Sequence, residues 1–179
     1  MHTIIAAIVY ANNESNALAQ ARQVFARLVQ EHAFDDYTLL HDRTKAAVPS
    51  NWSKYPTVAK ANSSEGKRFI TDRWQATKRR FDWAIGNVRE AVTQYTDDEL
   101  FAGKDDLGGV KQLFRYSCLV IGRMPGPDVF LYDNEAEGIC TKEHLEHVLN
   151  KWPDVDDNLG EQYPLQNVDV WIVSGYTHC

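Results

Sequence analysis

The side chains with the most obvious chemistry lie late in this chain, at Cys140, His144 and His147. A helix opening at Thr141 would set the two histidines one turn apart, with the cysteine just upstream. Thiolate and imidazole both suit Zn²⁺. A closed structural zinc site needs four ligands, and only Cys179 or His178 could complete this one. There is no second close-spaced pair. In the competing reading, both histidines lie on the exposed side of an amphipathic helix, beside Glu143 and Glu146, while Leu145 and Val148 face inward. We therefore expect no metal and no cofactor.

Other groups of polar residues fare no better. Asp154-Val155-Asp156-Asp157-Asn158-Leu159-Gly160-Glu161 offers oxygen ligands at alternate positions. A calcium loop of the EF-hand type, however, requires Gly at position six and Glu at position twelve, which here are Leu159 and Leu165. Asp133-Asn134-Glu135-Ala136-Glu137 reads as a solvated acidic loop. Cys118 sits inside an apolar run, where a buried, inert thiol is expected. His41-Asp42-Arg43 ends a strand, but neighbours on an extended chain point to opposite faces and make no constellation. Neither the Walker nor the dinucleotide glycine fingerprint occurs.

One stretch combines charge with aromatic rings: Lys67, Arg68, Arg73, Trp74, Lys78, Arg79, Arg80, Phe81, Trp83 and Arg89. Cations next to aromatics suit phosphate contact with base stacking. They also suit an acidic protein surface. Trp74 and Phe81 fall on an apolar stripe and are expected to point inward. Arg68, Arg73, Lys78, Arg79 and Arg80 then remain as candidate binding residues. Charge is distributed unevenly around this stretch. Residues 54–90 carry nine Lys/Arg against four Asp/Glu, whereas residues 91–179 carry six against sixteen. Such segregation bears on partners rather than on fold.

The elements that must position these residues follow from periodicity. Thr3 to Tyr10 and Val168 to Val173 are short β-branched runs at the two ends of the chain, and we expect both to be strands of one sheet. Ala17, Leu18, Ala21, Val24, Phe25, Leu28 and Val29 recur at helical spacing, giving a helix from Glu14 to His32. Tyr37 to His41 reads as a strand and 42–64 as loop. Ile70, Trp74, Thr77, Phe81, Ile85, Val88, Val92 and Tyr95 step by three or four, giving a long helix from Glu65 to Thr96, bent at Gly86. Leu113 to Gly122 and Val129 to Tyr132 flank a Pro-Gly-Pro-Asp turn and read as a hairpin. Thr141 caps a last helix, which stops before Pro153.

The expected fold is α+β: one domain over 1–179, with a ferredoxin-like antiparallel or mixed sheet and two amphipathic helices packed on it. Residues 42–105 form an insertion, helical over about 63–105. Three cysteines at wide spacing give no disulfide framework. No apolar run is long enough for a bilayer span and no signal peptide is visible, so we expect a cytoplasmic protein.

The strand-helix start, with Asn12-Asn13-Glu14-Ser15 leading into an Ala-rich helix, and the Gly138-Ile139-Cys140-Thr141-Lys142-Glu143 lead into the last helix resemble small α+β proteins carried by phages and other mobile elements. That resemblance implies an accessory or interaction role. We expect a non-enzymatic protein–protein interaction protein, acting as inhibitor, adaptor or assembly component, or self-associating as a homo-oligomer. The alternatives are a nucleic-acid-binding module using the helix over 67–89, and a small enzyme whose site is assembled from residues distant in sequence.

Overall fold

Two ten-residue strands form the centre of the protein. β1 (His2–Ala11) and β5 (Asp169–His178) run antiparallel in unbroken register, from His2 opposite His178 to Ala11 opposite Asp169. The computed structural model describes residues 2–42, 55–104, 129–150 and 168–178. β1 is apolar without alternation, as a strand covered on both faces should be. Ile5, Ala7 and Val9 point into one core, and Ile4, Ala6 and Ile8 into a second.

The first core is closed by α1 (Glu14–Gln30). Asn13 caps it by accepting the Asn16 N–H at 2.9 Å. Ala17, Leu18, Ala21, Val24, Phe25 and Leu28 are its buried stripe. The second core is closed by α2 (Ser64–Gln94) and α4 (Lys142–Asn150), through Phe69, Ile70 and Val148. Between them in sequence lies α3 (Asp97–Phe101), begun by a capping box of Thr96 and Glu99.

Three short strands complete the sheet. β2 (Asp36–Leu39) and β3 (Val58–Lys60) lie end to end along the outer edge of β5. Ser174 sits at their junction, fully buried. Its N–H donates to Thr57 O at 3.1 Å and its hydroxyl to Pro56 O. On the other side, β4 (Leu131–Tyr132) pairs with β1 in parallel. The order is β2-β5-β1-β4, with β3 also on β5.

The α+β class and the mixed sheet agree with the sequence reading, and so does the sharing of one sheet by the two terminal strands. The helix packing differs. The helices do not share a face: α1 covers one side, α2 and α4 the other, because β1 is apolar on both sides and each must be shielded from water. β3 falls inside a stretch read as loop. Its three residues are too few to show a period, and β5's open edge recruits them. β2 is shorter than expected, with Leu40–Asp42 forming a 3₁₀ turn. α2 runs unbroken through Gly86. The expected strand over 113–122, and with it the hairpin, lies outside the described residues, as do Arg43, Cys118, Trp152 and the acidic loop 154–161. Among the described residues, no helix is long and apolar enough to cross a membrane.

Gly66 sets how closely α2 approaches the sheet edge. A Cβ there would lie 2.1 Å from Lys60 O, a backbone atom that cannot swing aside. Helix propensity alone predicts that Gly66→Ala stabilises by about 1 kcal/mol. We expect the opposite sign, a loss of about 1–3 kcal/mol in chemical denaturation, because the overpacking is against main chain.

Candidate functional site

α2 divides into two unequal halves. Its buried residues are Gly66, Phe69, Ile70, Arg73 and Thr77 in the first half, but only the small Ala84 and Ala91 in the second. Of the larger apolar residues of α2 beyond Thr77, Ile85 and Val88 are half-buried and three are more exposed. Phe81 is 36% exposed, Trp83 49% and Val92 65%. The expected inward stripe therefore holds for Ile70 and Thr77, holds in part for the half-buried Trp74, Ile85, Val88 and Tyr95, and fails at Phe81 and Val92. The seam that faces the body runs through Ile70, Thr77, Ala84 and Ala91 instead, a spacing of seven.

The five candidate cations separate in the same way. Arg68, Lys78 and Arg79 are exposed, and Arg80 is half-buried. Eleven residues are close to three helical turns, so Arg68 and Arg79 fall on one line along α2. Arg80 lies over the Trp83 ring, 4.2 Å from its centroid, and Lys78 lies 5.2 Å from that of Phe81. Lys78 also pairs with Asp82 one turn on. Cations and aromatics thus share the surface of this half of α2.

Arg73 does not belong with them. It is 7% exposed. Its guanidinium donates to Ile4 O at 2.8 Å, to the Tyr55 hydroxyl at 2.8 Å and to Asp72 Oδ2 at 2.6 Å, and it packs against the rings of Tyr55, Phe69 and Phe130. A buried guanidinium needs such partners, and here they tie α2 to β1. Arg73 is a structural residue, not part of an exposed binding face.

The structure brings together a group that the sequence kept apart. Asp133 directly follows β4 and is buried, not solvated. Its Oδ1 accepts the N–H groups of Glu135 and Glu137, each at 2.9 Å. Its Oδ2 lies 3.0 Å from His144 Nε2. His144 is in the first turn of α4, where Thr141 Oγ1 accepts its N–H at 3.0 Å. The loop closes through Ala136, at φ 62°, and an antiparallel bridge between Tyr132 and Gly138. This turn brings Glu137 back, so that one ligand atom each from Asp133, Glu137 and His144 lie within 4.8 Å of one another. His147 is exposed elsewhere on α4. Cys140 is a half-buried free thiol, and burial pushes it up to about 11. The group that forms keeps only His144 of the three residues first considered.

Tyr10, at the end of β1, neighbours this group. Burial first, and then the negative charge of Asp133, push its phenol up to about 12. Its hydroxyl donates to Val148 O at 2.6 Å. Tyr10 also lines a cavity of about 860 Å³ whose walls include Ile70, Trp74, Leu145 and Leu149. At the other end of the sheet, His41 and Asp42 sit on a 3₁₀ turn rather than an extended strand. Their side chains meet at 3.3 Å, and Arg22 pairs with Asp42 at 2.7 Å. All three are exposed and form a surface ion pair of small energetic weight.

Residues 1–159 match the profile of a family described as a domain of unknown function (DUF7995). The chain belongs to this family. Comparison with curated proteins and with solved structures gave no match. The matched span of DUF7995 includes β1, α2, β4 and α4, and so carries Arg68, Arg79, Asp133 and His144, while β5 lies beyond it.

Sequence reasoning missed Asp133 because acidic residues beside Asn usually mark solvated turns. One signal was available: the unit Asp-x-x-x-Glu after an apolar pair, with a histidine one helix turn past a Thr cap. Arg73 was missed because its charge outweighed its position, three residues after Ile70 on the inward side.

Two measurements test these placements. Arg73→Ala removes buried hydrogen bonds and ring contacts, and should lower stability by about 2–4 kcal/mol, whereas Arg79→Ala should stay within about 0.5 kcal/mol of the parent. Paired urea melts decide this. Cys140 should react with iodoacetamide far more slowly than free cysteine near pH 8. A thiol raised from 9.0 to about 11 exposes about a hundredfold less thiolate below that range, and its alkylation should accelerate as pH climbs through it. Site-resolved mass spectrometry would read the rate, and fast alkylation at pH 8 would contradict the buried placement.

Proposed function

We propose that this protein is a non-enzymatic interaction module, an inhibitor, adaptor or assembly component that acts in the cytoplasm through the exposed surface of α2. The observation that carries the proposal is Trp83, 49% exposed beside Arg79 and Arg80 on a half-helix that buries only alanines. Tryptophan and arginine are the residue types most enriched where partner proteins bind tightly. The body leaves them outside, so a second molecule has access to them.

The partner is an acidic protein surface. The +5 balance of residues 54–90 stands against −10 for residues 91–179, counting Lys/Arg against Asp/Glu. A second copy could therefore supply that surface, and a head-to-tail contact of this kind would build an assembly. A separate acidic protein would serve equally. The resemblance to accessory proteins of mobile elements fits either role. Complementary charge mainly accelerates association and selects the partner, while the aromatic side chains hold it.

A nucleic-acid-binding reading draws on the same residues, because Arg80 stacked on Trp83 could also receive a base. One experiment separates the two. In the triple variant Arg68→Glu, Arg79→Glu, Arg80→Glu, folding should persist, since the exposed Arg68 and Arg79 contribute only about 0–1 kcal/mol each and the half-buried Arg80 loses a ring contact of similar size. Sedimentation and pull-down at low and high salt should show association weakened, most strongly at low salt. A mixed DNA and RNA shift assay should show no binding by the parent. Unchanged association, with a parent shift that the variant loses, would replace the protein-partner reading by the nucleic-acid one.

A further inference from the structure

We propose that Asp133, Glu137 and His144 form a binding site for a first-row divalent cation, one that holds Zn²⁺ more tightly than Mn²⁺ or Mg²⁺. This inference stands independently of the α2 surface. The three ligand atoms already converge within 4.8 Å of one another. Two donors on one ion at ordinary bond lengths lie about 3.0–3.4 Å apart. Asp133 Oδ2 and His144 Nε2 are 3.0 Å apart now, so an ion could replace the hydrogen bond between them with little movement of either residue.

The site is built as well as convergent. Asp133 Oδ1 is occupied by two backbone N–H groups, which fix the carboxylate plane and leave Oδ2 as the ligand. Such outer contacts orient metal ligands and strengthen them. His144 is held at the start of α4 by the Thr141 cap. Glu137 approaches from the exposed side. The nearby Arg27 pairs with Glu31 at 2.8 Å and with Glu135 at 3.8 Å, and its charge also acts on Glu137. Two carboxylates close together, one of them buried, gain from a shared cation.

The donor set selects the ion. One imidazole and two carboxylates, without thiolate, suit borderline first-row metals. Mg²⁺ and Ca²⁺ favour more numerous, all-oxygen ligands. Within the first row, sites of nitrogen and oxygen donors hold Zn²⁺ more tightly than Mn²⁺. Three protein ligands leave room for water on the ion, as in open rather than closed zinc sites. Cys140 is not among the ligand atoms that converge here, and the Tyr10 hydroxyl is committed to Val148 O.

The test is calorimetric titration of the chelator-treated full chain with Zn²⁺, Mn²⁺ and Mg²⁺ near neutral pH. We expect one Zn²⁺ per chain, weaker Mn²⁺ and no saturable Mg²⁺. Asp133→Asn keeps an oxygen for the two loop N–H groups while removing the charge, and should abolish Zn²⁺ binding, as should His144→Gln. Glu137→Gln changes an exposed side chain and leaves the fold untouched. It should weaken binding by at least about tenfold, a loss seen even for outer-shell changes, and it decides the matter if either other variant fails to fold. His147→Gln and Cys140→Ser should bind as the parent does. Absence of saturable Zn²⁺ binding by the parent would overturn the site. So would Zn²⁺ binding that survives Glu137→Gln and His144→Gln, or binding that disappears with His147→Gln or Cys140→Ser.

Discussion

Everything in this fold depends on the pairing of β1 with β5. Ten consecutive residue pairs join the beginning of the described chain to its end, with Ala7 opposite Val173 at the middle. Because a sheet's side chains alternate with a period of two, a slip of one residue would turn every inward group to the wrong core. Here neither face is free to accept an error, since both are buried. β2 and β3 are positioned by β5, and β4 by β1. The pairing is also a contact between residues far apart in sequence, so loop closure must precede the contacts that reward it.

The two layers are attached to this centre by different means. α1 is held almost wholly by apolar burial. α2 adds a polar clamp, the Arg73 guanidinium donating to Ile4 O on β1. The clamp lies in the first half of the helix, and beyond Thr77 the inward seam is alanine. Helices can approach one another or a sheet closely over alanine, but alanine buries little area per residue. Attachment therefore weakens along α2, and that gradient is what leaves Phe81, Trp83 and Val92 in contact with solvent. Their exposure follows from which residues hold the helix down.

The elements that could be read from sequence were those with long, regular patterns. α1, α2 and the two terminal strands carry enough apolar residues at fixed spacing to declare themselves, and the caps at Asn13, Ser63 and Thr141 act as their residue types suggest. The side of the sheet each helix takes was not readable, because a continuous apolar strand does not say which neighbour covers which face. β3 was hidden by being three residues long, whereas β4 falls inside the strand expected over 129–132 but pairs in parallel with β1. For the candidate site, the cations on α2 could be found but not sorted. A stripe of residues three or four apart put Phe81 inward and left Arg73 outward. The structure buries Arg73, which satisfies its charge against a main-chain carbonyl and a tyrosine hydroxyl, and leaves Phe81 only partly covered, 36% exposed. Asp133 and His144 are eleven residues apart, and only the reversal at Ala136 makes them neighbours.

That reversal gains significance from where it occurs. β1 and β4 are the parallel pair of the sheet, so their carboxyl ends open at the same edge. In sheets with parallel neighbours, the chain must leave both strands there and cross over helices, and the diverging loops leave a crevice suited to ligands. Tyr10 lies near the end of one strand and Asp133 follows the other, and burial together with the Asp133 charge raises the phenol. α4 then lays His144 against Asp133 while Leu145 and Leu149 wall the adjoining cavity. The antiparallel pairing of β1 with β5 organises the core, but it gives no such edge. Among the described residues the one parallel contact in the sheet is short, only Ala6 with Leu131 and Ala7 with Tyr132. Its effect is out of proportion to its length, because it decides which polar side chains meet. The basic surface of α2 arises from the other constraint, the fading attachment of a long helix. The two features thus have separate physical origins, and one can be altered while leaving the other in place.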